Sequence, residues 1–456
     1  MSVSLTFYGG VEGEVGGNQI LLADEETRLK VLLDFGCNLE RRGILYPFPM
    51  QPRSKEEMVN VGLAPAPEEL LSHPFEAPLS CTLLSHPHAD HTLAICLLPE
   101  GTPVLASPEC LTMMEVRRST RRRGPEDEVE HLSFTPLEHG RRLELAEGRA
   151  AVLPYYVDHS AVGSMGFLLE AGGRLVAYTG DIRFHGPLKS RSLDFERLLE
   201  EKEPDVLIVE GTNALEAKMV SEDRVRQDMA AIFGEAPSLV VVDVHPGDVW
   251  RVSSVVAAAK EAGRDVLMPL RLVAALEELR RKAPTSPGLA GTTLPDVREP
   301  NVLVYVRPKK RLERWERAVL ARCEEELEEG KLTGPEAVRD RPSRLVLISE
   351  HPVVDMREVR PPEGTVLVHA QSEPFNELGL VELETLKAWL RQFGIPTLHA
   401  HSSGHASLMR LARLVERAQP DLLVVVHTPE PELCRKFFAR FCQRVVVPGK
   451  GECILI

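Results

Sequence analysis

Paired cysteines, aromatic residues, long apolar runs and an excess of positive charge are all scarce in this 456-residue chain. Its eight cysteines, Cys37, Cys81, Cys96, Cys110, Cys323, Cys434, Cys442 and Cys453, include no CxxC pair. A disulfide-stapled secreted scaffold is therefore excluded, and reduced, mostly buried thiols are expected. Aromatic residues make up only 5% of the chain, too few for a stripe of rings that would stack successive bases of a single strand. No segment approaches the ~20 consecutive apolar residues that span a bilayer, and the opening MSVSLTFYGGVEGE lacks the charged and apolar regions of a signal peptide. A cytoplasmic protein with no membrane partner is expected. Lys plus Arg number 54 against 68 Asp plus Glu, a net charge of −14, so no global field draws the chain to nucleic acid. Any polyanion site must be local.

What is present is the balance of an ordinary globular protein, 43% hydrophobic and 27% charged, with 32 Gly and 35 Pro dispersed along it. At this length two domains, or one domain with a large insertion, are expected. The first part is a succession of short apolar runs bounded by Gly, Pro and Asp, namely SLTFYGG, NQILLAD, KVLLDFG, SCTLLSHPH, TPVLAS, RAAVLPYYVDHS, GRLVAYTGD and DVLIVEGT. Such runs are strands, dense enough for one large sheet or two. From about residue 212 strands alternate with helices, as in SLVVVDVHP, VWRVSSVVAAAKEAG, RDVLMPL and LVAALEELRRKA, the pattern of a parallel α/β unit.

The chemistry is concentrated where strands end. The strand CTLL runs into Ser85, His86, Pro87, His88, Ala89, Asp90 and His91, so three imidazoles and a carboxylate fall within six positions. His86 and His88 lie to one side of such a loop and Asp90 and His91 to the other, so one loop can feed two metals. Nitrogen and oxygen donors without thiolate suit Zn²⁺ or Mn²⁺. Asp34, His159, Asp181 and His427 each close an apolar run further along. A lone Asp after a strand is usually a turn residue. Four ligand-type residues at four strand ends are not explained that way.

In this order Asp34, the His86 to His91 run, His159, Asp181 and His427 resemble the motifs of the metallo-β-lactamase superfamily. Glu210 in VLIVEGT and the HSSGHAS segment resemble the acidic and histidine motifs of its β-CASP branch, and YGGVEGEVGGNQILL is similar to the opening of RNase J-like nucleases. The resemblance implies an αββα sandwich from residues 1–211 and 399–456, with 212–398 an inserted α/β β-CASP domain. It implies two Zn²⁺ ions, Mn²⁺ being an alternative: His86, His88 and His159 on one, Asp90, His91 and His427 on the other, and Asp181 bridging them. Asp34 would orient a ligand imidazole. His401, held by Glu210, would act on the scissile phosphate or the leaving oxygen, with Ser402, Ser403, Gly404 and His405 as a phosphate pocket. The implied reaction is hydrolysis of nucleic acid by a metal-bridged hydroxide, with single-stranded RNA the expected substrate, from the 5′ end or internally. DNA is the alternative polymer, and a small ester, lactone or thioester the alternative substrate class; a homo-oligomer is compatible with the resemblance. Two basic runs, VRRSTRRRG and RPKKRLERWER, are the local candidates for backbone contacts, each against the ordinary reading of a solvated face.

Overall fold

In the computed structural model the described residues are all but 1–2, 48–49, 217–218, 284–287, 290–291 and 373–376. They form two compact units. The first comprises Met1–Met114, Arg122–Met219 and Gly404–Ile456; the second comprises Val220–Ser403 together with Glu115–Arg121.

Among the described residues of the first unit are two seven-stranded sheets. One runs, in spatial order, through Cys453–Leu455, Val3–Gly9, Gln19–Asp24, Leu29–Phe35, Cys81–Leu83, Pro103–Ala106 and Ser133–Pro136. The other runs through Val445–Val446, Leu422–Val426, Val206–Glu210, Arg174–Tyr178, Met165–Ala171, Ala150–Tyr156 and Leu143–Leu145. The alternating side chains of a strand face opposite ways. One set, Leu5, Phe7, Ile20, Leu22, Val31 and Leu33, meets Val152, Phe167, Tyr178, Ile208 and Val424 of the second sheet in a shared core. The other set on each sheet, such as Leu21 and Leu32, or Leu207 and Val425, packs under helices. This gives the αββα order, and it accounts for near-continuous burial along strands such as Leu29–Phe35.

The second unit carries a third sheet, in the order Leu332–Thr333, Val302–Tyr305, Asp265–Pro269, Leu345–Ser349, Val240–Asp243, Val366–His369 and Thr397–His399. Every pairing in it is parallel. Parallel neighbours need crossovers, here mostly helical, which is the alternation read from the sequence. That Glu115–Arg121 groups with this unit was not legible in the sequence.

The strand Met165–Ala171 is absent from the runs read above because Gly166 and Glu170 break its apolar pattern. Gly166 is there for space: a Cβ would lie 2.7 Å from the Phe195 ring. None of the eight cysteines is bonded to another, and all but Cys453 are buried. Among the described residues no helix is long and apolar enough to cross a membrane.

Phe167 is fully buried between the two sheets of the first unit. Phe167→Ala is expected to cost about 3–5 kcal/mol, read as a lower urea midpoint of unfolding by circular dichroism.

Candidate metal centre

Asp34 organises the approach to the site. It ends the strand Leu29–Phe35 in a left-handed conformation, φ 55°. Its carboxylate is fully buried and accepts four hydrogen bonds: from Ser85 N at 2.7 Å, Ser85 Oγ at 2.8 Å, His91 Nδ1 at 2.8 Å and Tyr178 OH at 2.6 Å. Tyr178 is held in turn by Asn18 Nδ2 at 2.9 Å. Burial and then the Asp34 charge push the Tyr178 phenol well above its ordinary range, so it stays a donor.

The outer nitrogens of four histidines are committed in the same way. His91 Nδ1 donates to Asp34; His86 Nδ1 lies 3.0 Å from Ser85 Oγ, whose own proton goes to Asp34. His159 Nδ1 donates to Gly404 O at 2.6 Å. His427 Nδ1 lies 2.8 Å from Thr212 Oγ1, and that hydroxyl donates to the His427 carbonyl. Each network engages Nδ1 and so turns the four Nε2 atoms inward.

They converge on one oxygen. Asp181 Oδ2 is 3.5 Å from His86 Nε2, 3.4 Å from His91 Nε2, 3.7 Å from His159 Nε2 and 3.8 Å from His427 Nε2. Asp90 Oδ2 lies 3.4 Å from His427 Nε2 and 3.6 Å from His91 Nε2, and His88 Nδ1 is 3.1 Å from His86 Nε2. Two groups that could each hold a metal ion result among the described residues, His86, His88, His159 and Asp181 in one, and Asp90, His91 and His427 in the other. A third grouping, Asp181, His405 and His427, overlaps them.

Burial holds the His86 and His159 imidazoles well below their usual range. Against burial, the Asp181, Asp90 and Asp34 carboxylates push His91 up; likewise against burial, the surrounding imidazoles hold the Asp90 and Asp181 carboxyls down. The donors fit divalent metal on an observation of their own. His91 Nε2 and Asp181 Oδ1 are buried with no hydrogen-bond partner among the described residues, and unpartnered buried donor atoms at the centre of such a cluster are what a bound cation would satisfy. A set of nitrogens and oxygens without thiolate suits zinc or manganese.

With this fold and this geometry in view, the relatives of the chain become informative. Residues 62–270 match the model of a beta-lactamase superfamily domain. A solved structure of a protein of unknown function from Enterococcus faecalis V583 superposes with a TM-score of 0.74 over 100% of both chains, at 18% sequence identity. The αββα layering of the first unit is in keeping with that similarity to a beta-lactamase superfamily domain. Ribonuclease J of Sinorhizobium meliloti is 26% identical over 367 residues, 76% of this chain and 57% of that protein. Ribonuclease J of Mycoplasma pneumoniae is 20% identical over 436 residues, 92% of this chain and 67% of that one. The chain thus spans about 57% of the length of the first of these relatives. Both of these relatives are named ribonuclease J, and the likeness covers most of this chain.

The pairing expected of Glu210 needs correction. Glu210 bonds His405, with Oε2 2.9 Å from His405 Nδ1, and His405 also lies 3.9 Å from Asp181 Oδ2. His401 Nδ1 is instead 3.1 Å from the Ala370 carbonyl and 3.3 Å from Arg251 Nη1. The reason is the path of the chain: residues 400–402 stay attached to the third sheet through Arg251, which also bonds Ser402 O at 3.0 Å. Past Gly404 the chain runs beside His159 in the first unit. Two histidines in HSSGHAS are equivalent by composition, and only this path separates them. Although burial alone would lower it, Glu210 and Asp181 push the His405 imidazole up to about 9.

Of the expected phosphate pocket, Ser402 is buried, with its Oγ unpartnered among the described residues. Gly404 has a second role. Its carbonyl orients His159, and a Cβ there would lie 2.9 Å from His159 Cε1.

Several working residues escaped the sequence reading. Ser85, Tyr178, Asn18 and Thr212 orient ligands, and each carries only the weak signal of a polar residue beside a ligand or a strand end. The glycine-rich opening carried a stronger one. Gly17 N and Asn18 N both donate to the Asp90 carbonyl, and Cβ atoms at Gly16 and Gly36 would lie 2.4 Å and 1.6 Å from Asp90 atoms. Those glycines exist to let the chain wrap the ligand loop.

Asp181→Ala is expected to lower the divalent metal bound per chain to less than about half that of the unaltered protein, measured by elemental analysis of the purified proteins. Thr212→Val, which strips the support from His427 Nδ1, is expected to weaken metal affinity roughly 10- to 100-fold, measured by competition with a chromogenic chelator.

Proposed function

We propose that this chain hydrolyses the phosphodiester bonds of RNA with two divalent metal ions, zinc or manganese. One would be held by His86, His88 and His159, the other by Asp90, His91 and His427, with Asp181 between them. The observation that carries the reading is the convergence of four imidazole Nε2 atoms on Asp181 Oδ2, in a chain similar over most of its length to proteins named ribonuclease J. Ions bound there acidify a water and offset the charge of the phosphate under attack.

The rest falls to the chain itself. Asp34, Ser85, Thr212 and the Gly404 carbonyl hold the ligand rings in one tautomer and one orientation, so little reorganisation is needed as charge develops. His405, oriented by Glu210, is the group we place at the phosphodiester to protonate the leaving oxygen, a role first read onto His401. Gly404 precedes it in the chain and serves the phosphate of the same strand. The second unit is the β-CASP insertion in this reading. Its substrate is single-stranded RNA, taken stepwise from a 5′-monophosphate end.

Incubation with 5′-labelled RNA and DNA oligonucleotides, with and without a chelator, tests the reading. Metal-dependent release of single nucleotides, faster from a 5′-monophosphate than from a 5′-hydroxyl RNA, is the expected result. Internal fragments as first products would remove the exonuclease assignment, and chelator-resistant cleavage would remove the metal mechanism. His405→Ala is expected to lower kcat about 10²- to 10⁴-fold, with RNA binding retained, whereas His401→Ala is expected to lower it less than 10-fold.

A further inference from the structure

The two basic runs, residues 117–123 and 307–314, are far apart in sequence, and the metal chemistry leaves both unused. Within the second unit they meet at one residue. Arg271 begins the helix Leu270–Lys282 and donates from Nη1 to Glu350 Oε2 at 2.7 Å and from Nη2 to the Thr120 carbonyl at 3.0 Å. Its guanidinium lies 5.9 Å from the centre of the Trp315 ring. Thr120 is flanked by Arg117, Arg118 and Arg121; Trp315 directly follows Arg314 and the Lys309, Lys310, Arg311 run. At the far end of the same helix Lys282 pairs with Glu115, so residues 115–120 lie along it.

Arg271 therefore gathers both runs at the carboxyl ends of the parallel strands Asp265–Pro269, Val302–Tyr305 and Leu345–Ser349. Open parallel sheets bind ligands at that edge. Part of its charge is already neutralised: Arg307 is bidentate to Asp355 at 2.7 and 2.9 Å, and Lys309 pairs with Glu316 at 2.6 Å. Lys310, Arg311 and Arg314 are exposed and make no ion pair among the described residues. In a chain of net charge −14 that is a local excess of the wrong sign for a merely solvated face. Trp315 is half-buried beside it, its Nε1 donating to Glu313 at 3.2 Å, which fixes the ring plane.

We propose that this edge of the second unit is a separate backbone-binding surface for single-stranded RNA, in which Lys310, Arg311 and Arg314 contact phosphates and Trp315 offers a face to one base. The proposal rests on the nucleic-acid reading above and extends it from the bond that is cut to the strand that is held. A planar ring beside free cations suits a flexible strand whose bases can turn out to stack. Neutralised phosphates release counterions, so each contact contributes to the salt dependence of binding.

The test uses the full chain with Lys310→Glu, Arg311→Glu and Arg314→Glu together, and a second variant with Gln at the same three positions, both checked for fold by circular dichroism. Binding of a single-stranded RNA of about 30 nucleotides is measured against salt, and turnover of a dinucleotide is measured alongside. The expected result is a Kd for the long RNA raised about 10-fold or more, and a slope of log K against log salt shallower by about 2, with dinucleotide turnover unchanged. An unchanged Kd and slope would overturn the proposal, as would an equal loss on the dinucleotide, which would place the effect at the metal centre. An equal loss on double-stranded DNA would overturn the single-strand assignment. Wild-type protein that binds long RNA with the steeper slope yet never cleaves it would leave this surface standing and sink the nuclease reading instead.

Discussion

One buried carboxylate oxygen sets the terms for the first unit. Asp181 Oδ2 faces four imidazole nitrogens at 3.4 to 3.8 Å. Asp34 adds buried negative charge within hydrogen-bond reach of His91, and Glu210 does so beside His405. An assembly of this kind is unstable as it stands, because buried charge must be neutralised and buried lone pairs must be met. Cations resolve both demands at once. The networks that hold the Nδ1 atoms of His86, His91, His159 and His427 are therefore part of the site, since they turn each Nε2 toward Asp181.

The two sheets of the first unit explain how one oxygen reaches so many partners. Asp34 and the 85–91 loop leave the ends of parallel neighbours in one sheet, while Asp181, Glu210 and His427 leave the ends of neighbours in the other. Stacking the sheets face to face brings the two sets of strand ends to one rim. Local conformation is strained to serve this: Asp34 and His427 both hold a left-handed backbone, φ 55° and 52°, which non-glycine residues seldom adopt outside functional positions. Around them Gly17 and Gly36 let backbone approach backbone more closely than any side chain would allow, and Gly16 leaves room for the Asp90 side chain.

The second unit follows a different logic. Its sheet is parallel throughout, its strand ends carry charge, and its most buried cation, Arg251, is fully enclosed by Glu222 and by the carbonyls of Ala400 and Ser402. Five donors in a rigid fork suit Arg for gathering several carbonyls at once. The segment that leads to His405 is thus anchored at its start by a guanidinium and, past Gly404, by His159 and Glu210. Arg251 acts through geometry, by fixing where residues 400–402 begin.

By itself the sequence determined the fold class and pointed to the candidate metal-binding residues that the structure brings together. Ligand-type residues placed at the ends of apolar runs are legible because strand formers, turn formers and metal donors differ in composition, and because a strand end points its next residues out of the sheet. The HxHxDH run, Asp34, His159, Asp181 and His427 were all readable on those grounds. What the tertiary structure alone decided was which of two like residues does the work and which distant residues meet. His405 rather than His401 reaches Glu210 because Arg251 retains the start of the segment, and no pattern in HSSGHAS encodes that. Thr212 beneath His427, Tyr178 beneath Asp34, and Arg271 between two basic runs are of the same kind. Each depends on contacts between residues tens to hundreds of positions apart, set by how sheets and helices pack, whereas periodicity and motif spacing report only on neighbours along the chain.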